Sequence, residues 1–327
     1  MTTSICPLDN ERMRYYLSAR DYLYQTSNKI YQVFKCTRCS LEKIHPLPSK
    51  KEISSFYPIN YYSYHVQKVK NQDFFLKLRE KIVDISYNKK SKKDIWYLLA
   101  LIFKNLLPGL PLNYLGNRRF LDVGCGDGYS LDLLSKYHWK TFGFELGEPF
   151  KKGSIYYGPS LLGVDFKKTT FDYIRVWHVL EHVPNPASYI KKLASLLTQK
   201  GHLTIGVPNS ASLYAKLFGK YWYNRDIPRH VINYNPYTLA LLCNKYNLKI
   251  ISVKYNSFGG LLDSLLRLLD IKYRIKINLF NKIKFFLVIL FYPIDLVCNL
   301  LKIGDLFFFD IIKDNKYHFV KREQINP

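Results

Sequence analysis

Acidic residues are scarce in this chain of 327 residues. The sequence has 25 Asp and Glu against 49 Lys and Arg, which gives a formal net charge of +24. Such a surface attracts polyanions: nucleic acid, an anionic membrane face or an anionic glycan. A genome rich in Lys codons would produce part of the same excess, so the charge does not choose among these partners.

A disulfide framework is also missing. The six cysteines lack the paired pattern of secreted domains, and the N-terminus has no basic and then apolar signal peptide. These two absences favour a reducing cytoplasm. Hydrophobic residues make up 48% of the chain, so a packed core is expected and disorder throughout is excluded.

The C-terminal third lacks an uninterrupted apolar run of about 20 residues, which a membrane-spanning helix needs. Its apolar stretch, 275–304, is broken by Pro293 and Asp295 and contains Lys282 and Lys284 ahead of its most apolar part. This pattern predicts an in-plane hairpin on an anionic membrane surface, with a lid over a substrate pocket as the alternative. The expected location is the cytoplasm, with peripheral attachment to the inner face of the membrane.

From residue 118 onward, short apolar runs alternate with amphipathic stretches, a pattern typical of a βαβ sheet. Strands are predicted at 119–123, 139–145, 171–178, 201–207, 249–257 and 305–312. Helices are predicted at 95–107, 129–137, 187–198 and 237–246. The long apolar and basic segment 261–304 looks inserted before the last strand.

A glycine turn follows the first strand, in Phe120-Leu121-Asp122-Val123-Gly124-Cys125-Gly126-Asp127-Gly128. Glycine permits positive φ and close approach of a ligand at the carboxyl end of a strand, where open α/β sheets bind ligands. The next strand ends in Glu145, whose carboxylate can accept both hydroxyls of a ribose. A nicotinamide dehydrogenase is the competitor, but it needs Gly-x-Gly-x-x-Gly, and Tyr129 stands in place of the third glycine.

Four blocks resemble class I S-adenosylmethionine-dependent methyltransferases, in particular their ubiquinone-biosynthesis-like and cell-envelope glycan branch. The blocks are the glycine turn with Glu145, then 171–174, 177–186 and 226–239. The resemblance implies a Rossmann-like α/β fold: a mostly parallel seven-stranded sheet with an antiparallel last strand, plus a small N-terminal knuckle and an apolar insertion. The implied parts are a knuckle-like segment at 1–48, linker and helices at 49–117, and a methyltransferase domain at 118–327 with its insertion at 261–304.

The resemblance also implies which residues hold S-adenosylmethionine. They are Asp122, Gly124, Cys125, Gly126, Gly128, Glu145, Asp165 and His178. Asp165 is placed on the adenine side, although the stretch before it is shorter than in the family and is interrupted by glycine and proline. A solvated loop acid is the alternative for Asp165.

A hydroxyl acceptor must lose a proton when it attacks the methyl group of a sulfonium. His178, Glu181 and His182 follow a strand next to the predicted cofactor, and an imidazole can serve as the base. The resemblance implies that Glu181 and His182 also hold a divalent metal near the acceptor. The alternative is that these histidines cap a helix or pack beneath the site.

Arg229 and His230 lie on a later loop that would close over the acceptor. Arg229 would grip a carboxylate or phosphate of the acceptor through two hydrogen bonds. A local salt bridge with Asp226 is the alternative.

The N-terminal cysteines predict a structural zinc site. Cys36 and Cys39 have the spacing that binds one side of a tetrahedral metal. Cys6 and Asp9 would supply the other side, with His45 as another candidate for the fourth ligand. A decayed knuckle without metal is the alternative.

The expected function is O-methylation of a sugar or a lipid-linked glycan intermediate of the cell envelope. The first alternative is methylation of a small aromatic such as a quinone precursor. The second is a basic nucleic-acid-binding protein or RNA methyltransferase, which the charge favours. Nucleic acid is disfavoured because the chain has no Asn/Asp-Pro-Pro-Tyr motif and no evident base-stacking module.

Overall fold

The computed structural model describes residues 4–57, 74–88, 90–103, 109–111, 118–147, 154–269 and 277–314. Within these residues the chain forms two β-sheets, one of seven strands and one of five. Helices pack on the larger sheet, and the smaller sheet is built mainly from the N-terminal residues.

The seven-stranded sheet is the centre of the fold. Its strands are β5 (Arg119–Val123), β6 (Lys140–Leu146), β7 (Ile155–Gly158), β8 (Phe171–Trp177), β9 (Leu197–Pro208), β11 (Leu248–Asn256) and β12 (Leu306–Lys313). The order is β11-β12-β9-β8-β5-β6-β7, and β12 runs antiparallel to both of its neighbours while the other described pairs are parallel. The predicted mostly parallel seven-stranded sheet with an antiparallel last strand is confirmed.

The central strands are apolar because helices cover both of their faces, as is usual for parallel sheets. Six consecutive residues of β8 are buried. Sequence patterning finds six of the seven strands to within a few residues and misses β7, whose four residues are all half-buried. A strand so short and so evenly exposed has neither an apolar run nor an alternation to detect.

Four helices lie between strands of the larger sheet along the chain, and a side chain caps the first turn of three of them. They are α4 (Tyr129–Ser135), α5 (Pro186–Leu196), α6 (Leu213–Phe218) and α7 (Pro236–Asn244). In α7, the side chain of Asn235 accepts from Thr238 N while Thr238 Oγ1 accepts from Asn235 N, which is a capping box. Helix α5 ends earlier than predicted because Leu197 already belongs to β9.

Three helices follow β4 in the sequence and precede β5: α1 (Lys50–Ser55), α2 (Phe74–Tyr87) and α3 (Ile95–Phe103). The prediction of a helix at 95–107 is confirmed as far as Phe103, and 104–107 lie outside the described residues. Arg79 on α2 donates a hydrogen bond to Ser130 on α4, the helix that follows β5 of the larger sheet.

The five-stranded sheet was not expected from the sequence. It contains β1 (Ser4–Ile5), β2 (Arg12–Ala19), β3 (Tyr31–Cys36), β4 (Glu42–His45) and β10 (Ile232–Asn233), all paired antiparallel. Strand β10 comes from the predicted methyltransferase domain, so the N-terminal segment shares a sheet with it. The division of the chain at 48 and 117 stays a prediction.

The predicted insertion forms α8 (Gly260–Leu268) and α9 (Ile277–Leu300). Helix α9 continues through Pro293, where the sequence suggested an interruption. Proline removes one hydrogen bond of a helix, and packing can hold the helix together across it. No helix in the described part of the chain combines the length and apolar character that crossing a bilayer requires.

Candidate active site

The glycine turn lies between β5 and α4. Gly124, Gly126 and Gly128 have φ values of 77°, 56° and 80°, in the region that favours glycine. A Cβ at Gly124 would lie 2.4 Å from Cγ2 of Val179. The turn therefore needs glycine both for its backbone conformation and for its contact with the segment after β8.

Glu145 lies at the end of β6, directly beside the turn. Gly126 N donates to its Oε2 at 2.6 Å, and Leu146 N donates to its Oε1 at 2.9 Å. Burial raises the pKa of Glu145, against these two hydrogen bonds. Cys125 is buried, and its sulfur occupies the space where Gly143 has no Cβ.

Asp122, another predicted cofactor contact, is fully buried and bonded within the protein. Its Oδ1 accepts from Arg175 Nε at 2.8 Å, and its Oδ2 accepts from Arg175 Nη2. Arg175 Nη2 and Arg79 Nη2 both donate to Ser130 Oγ, at 2.9 and 2.8 Å. Arg175 thus connects Asp122, just before the glycine turn, to Ser130, just after it. A direct contact between Asp122 and the cofactor stays a prediction.

Asp165 is exposed on the loop before β8 and accepts a hydrogen bond from Lys167 N at 2.8 Å. This matches the alternative of a solvated loop acid. Contact between Asp165 and the adenine of the cofactor stays a prediction.

The predicted catalytic residues converge beyond the end of β8. Glu181 has no solvent exposure, and its Oε1 lies 3.0 Å from His178 Nδ1. His230 Nε2 lies 3.9 Å from the same oxygen, and the rings of His182 and His230 are 4.7 Å apart. Glu181 Oε2 is buried without a hydrogen-bond partner among the described residues. A buried carboxylate oxygen without a partner is costly unless a ligand contacts it.

Backbone carbonyls fix the tautomers of two of these histidines. His182 Nδ1 lies 3.0 Å from Arg229 O, and His230 Nδ1 lies 2.7 Å from Asn224 O. Because a carbonyl only accepts, each Nδ1 donates, and each Nε2 of the neutral ring carries a free lone pair. Tyr57, which the sequence did not single out, also lies 3.1 Å from His182 Nδ1 through its hydroxyl.

Burial sets the protonation states of the cluster. It lowers the pKa of His182 to about 4 and also lowers the pKa of His230, so both rings are neutral at pH 7. Burial by itself raises the pKa of Glu181, but the hydrogen bond with His178 and the nearby imidazoles outweigh it and bring that pKa to about 2. Glu181 is therefore ionised at pH 7.

These groups fit a divalent metal. Glu181, His182 and His230 each offer a ligand atom, and the three atoms lie within 4.8 Å of one another. Neutral imidazoles oriented by carbonyls, together with an ionised carboxylate, form a common metal-binding set. The sequence singled out Glu181 and His182 for this role, and the structure adds His230. A metal at this position stays a prediction.

The prediction that Arg229 grips the acceptor is wrong for this structure. Its side chain is fully buried between Asp226 and Asp21. Its Nε and Nη2 donate to Asp226, its Nη1 and Nη2 donate to Asp21, and Nη1 also donates to Phe56 O. All five donors are used, so none is left for a substrate. The alternative salt bridge to Asp226 is correct, and Asp21 extends it to the N-terminal segment.

The N-terminal cluster assembles as predicted. One ligand atom from each of Cys6, Asp9, Cys36 and Cys39 lies within 4.8 Å of the others. The sulfurs of Cys6 and Cys39 are 3.6 Å apart, and the Cys36 sulfur is 3.5 Å from both Asp9 oxygens. Ligands about 2.0–2.3 Å from a tetrahedral zinc have separations of this size. These residues fit a closed zinc site, and His45 lies outside the cluster; the zinc itself stays a prediction.

The family model described as "Methyltransferase domain" matches residues 72–253, more than half of the chain. The chain belongs to this family. It is a class I S-adenosylmethionine-dependent methyltransferase, in agreement with the strand order, the glycine turn and the position of Glu145. The predicted enzyme class, with S-adenosylmethionine as its cofactor, is thereby confirmed. The zinc and the divalent metal stay predictions.

Similar curated proteins are ubiquinone biosynthesis O-methyltransferases. The methyltransferase is 32% identical to that of Marinobacter nauticus over 120 residues, which is 31% of this chain and 50% of that protein. It is 28% identical to that of Saccharophagus degradans over 165 residues, which is 43% of this chain and 70% of that protein. The chain thus spans about half to 70% of the length of these two relatives.

Solved structures similar to the methyltransferase include a SAM-dependent methyltransferase from Archaeoglobus fulgidus. It has 17% identity and a TM-score of 0.41, and the match covers 74% of this chain and 100% of that one. Another is the 1,6-didemethyltoxoflavin-N1-methyltransferase of Burkholderia thailandensis, with 13% identity and a TM-score of 0.41, covering 87% of this chain and 96% of that one.

Proposed function

We propose that the methyltransferase acts on a phenolic hydroxyl of a small aromatic acceptor of the quinone-precursor class. The His178–Glu181 pair carries this proposal, because it supplies a base oriented by a buried carboxylate. Val179, next to His178, lies against Gly124 of the turn where the methyl donor is predicted to bind. The relatives' names support it, since they describe O-methyltransferases of ubiquinone biosynthesis. They favour this alternative over the glycan acceptor expected from the sequence.

In the proposed reaction, His178 Nδ1 donates to Glu181, so its Nε2 is free to accept the hydroxyl proton. The acceptor oxygen then forms a bond to the methyl carbon while the carbon–sulfur bond breaks, and S-adenosylhomocysteine leaves as a neutral thioether. The proton remains on His178, next to the ionised Glu181, until it passes to water. Glu145 holds the ribose and fixes the position of the methyl group for in-line attack.

A divalent metal would be held by Glu181, His182 and His230. When bound, it would lower the pKa of a coordinated phenol and orient two adjacent acceptor oxygens. With or without the metal, His178 accepts the hydroxyl proton and Glu145 holds the ribose.

Calorimetric titration with S-adenosylhomocysteine tests the cofactor site. We expect micromolar-range binding by the native chain and at least about a 100-fold loss in Glu145→Ala, which removes a carboxylate that makes charge-assisted hydrogen bonds. Glu11→Ala is the matched control, because Glu11 is an exposed acid whose ion pair in the described part of the chain is with the exposed Arg38. Equal binding by native protein and Glu145→Ala would contradict the assignment of the ribose site.

Methyl transfer from labelled S-adenosylmethionine tests the acceptor class. The panel compares dihydroxybenzoates with neutral and acidic sugars and with a short RNA. Transfer to the ortho-diphenols alone is expected. Transfer to a sugar, with none to the phenols, would replace this proposal by the glycan alternative.

A further inference from the structure

One side of helix α9 is exposed to solvent along its last four turns. This apolar face consists of eight exposed side chains: Phe286, Ile289, Leu290, Ile294, Leu296, Val297, Leu300 and Leu301. Phe286, Leu290 and Leu300 are 71%, 69% and 73% exposed. The exposed residues between 286 and 301 include no charged side chain. Soluble surfaces seldom leave a continuous apolar face of this kind uncovered.

The opposite side of α9 is anchored to the methyltransferase fold. Val288, Asp295 and Cys298 are buried. Asp295 Oδ1 accepts from the hydroxyl of Tyr214 on α6, and its Oδ2 accepts from Gly259 N before α8, each at 2.7 Å. These bonds fix the rotation of the helix about its axis. The apolar face therefore points away from the protein because of specific packing, and the buried Asp295 opposes insertion of the helix across a bilayer.

Basic side chains follow the apolar face and lie on a neighbouring segment. Lys302 is exposed immediately after Leu301. Lys216 on α6 and Lys220 just after α6 are also exposed, and α6 shares a buried cluster with Cys298 of α9. The chain as a whole carries a formal net charge of +24. An apolar helix side with cationic neighbours complements an anionic lipid surface, whose headgroups attract the lysines while the acyl region receives the apolar side chains.

Helix α8, which packs against α9, is hydrogen-bonded to the loop that carries His230. Arg267 on α8 donates to Trp222 O at 3.0 Å, and Ser264 Oγ accepts from Tyr223 N at 3.0 Å. Asn224, whose carbonyl holds His230, also donates through its side chain to Asp305 just before β12. The apolar face and the acceptor side of the active site thus belong to one connected part of the molecule.

We propose that the apolar face of α9 seats the enzyme on the surface of an anionic bilayer, with the helix in the plane of the membrane. The lysines beside the face contact the lipid headgroups. This inference rests on α8 and α9 and does not require the aromatic acceptor proposed above.

Co-sedimentation of the full-length chain with vesicles tests the proposal. We expect binding to vesicles that contain phosphatidylglycerol, weaker binding to pure phosphatidylcholine, and a decrease as salt rises. The variant Leu290→Glu/Leu300→Glu should lose at least about tenfold in affinity, because two apolar side chains leave the interface. Ile30→Glu is the matched control, since Ile30 is 66% exposed on the N-terminal side of the chain, and it should bind like the native protein.

Three results would overturn the proposal: no binding of the native chain to either vesicle, equal binding by the double variant, or a native dimer that the double variant converts to monomer. The last result would show that a second copy covers the face. Calorimetry with S-adenosylhomocysteine on the same preparations separates this outcome from failure of the proposed function, because cofactor binding does not involve Leu290 or Leu300.

Discussion

Glu181 combines complete burial with one oxygen bonded to His178 and a second that has no hydrogen-bond partner among the described residues. A general base such as His178, oriented by this carboxylate, contributes about 10²- to 10⁴-fold to a rate. Replacing the carboxylate with an amide keeps the volume but removes the charge that stabilises the protonated imidazole. The side chain should therefore matter for turnover more than for cofactor binding.

We expect Glu181→Gln to lower kcat by about 100-fold or more and to leave the Kd for S-adenosylhomocysteine within about twofold. Steady-state kinetics and calorimetry measure the two quantities. A fall in cofactor affinity as large as the fall in kcat would indicate a structural role instead.

Gly124 gives a second test at this scale. Alanine at this position meets Val179 Cγ2 and must adopt a φ of 77°. We expect Gly124→Ala to weaken S-adenosylhomocysteine binding at least about tenfold, because the turn must shift to relieve both conflicts. Gly163→Ala is the control, since nothing lies within 4 Å of a Cβ there. Unchanged affinity in Gly124→Ala would show that the turn is not part of the cofactor site.

Between elements, Arg229 connects the loop before β10 to the N-terminal segment. Asp21 and Asp226 are buried on either side of it. Burial by itself raises the pKa of each carboxyl group. The hydrogen bonds and the positive charge of Arg229 outweigh this effect, so both pKa values lie below the usual value for Asp. Removing one member of such a group leaves uncompensated buried charges and costs about 3–5 kcal/mol.

Arg229→Met should therefore reduce the free energy of unfolding by about 3–5 kcal/mol in urea. The matched change Arg38→Met breaks an exposed pair with Glu11 and should cost less than about 1 kcal/mol. A small effect of Arg229→Met would mean that the two carboxyl groups take up protons without disturbing the fold.

The four-residue cluster at the start of the chain joins the β1–β2 connection to the turn after β3. If zinc is its ligand, the purified chain contains about one equivalent, and Cys36→Ser, which removes one of four ligands, contains almost none. Metal analysis measures this directly. Cys243→Ala, which removes a buried cysteine on α7, should keep the metal. Equal zinc in the native chain and in Cys36→Ser would contradict the assignment.

Across the whole molecule, Asp305 links β12 to α6 and to the loop that carries His230. It accepts hydrogen bonds from Ser212, Trp222 and Asn224. Burial raises its pKa to about 7, against these hydrogen bonds. The folded state therefore holds this proton at pH values where the unfolded state, with an ordinary pKa of about 3.9, has released it.

The contribution of Asp305 to stability is fully present below about pH 4 and is lost as pH rises to about 7, by about 4 kcal/mol in total. Paired carboxyl groups such as Asp226 change stability in the opposite direction, so the comparison must be between variants. We expect the difference in Tm between Asp305→Asn and the native chain to move in favour of the variant from pH 5 to pH 8. A difference independent of pH would contradict the raised pKa.

The sequence by itself determined the parts of this protein that depend on neighbouring residues. Short apolar runs between amphipathic stretches located most strands, and the spacing from the glycine turn to Glu145 predicted the cofactor site. These features are local, because strand, turn and helix preferences act over a few residues. The spacing of Cys36 and Cys39 also predicted half of the N-terminal cluster, which Cys6 and Asp9 complete in the structure.

The tertiary structure alone decided the remaining features. It pairs Arg229 with Asp21 across 208 residues, adds β10 to the N-terminal sheet and brings His230 to Glu181. It also pairs Asp122 with Arg175 and leaves the apolar face of α9 exposed to solvent. Each of these contacts depends on how distant segments pack, and packing is selected by the free energy of the whole core, on which the periodicity of a short segment gives no information.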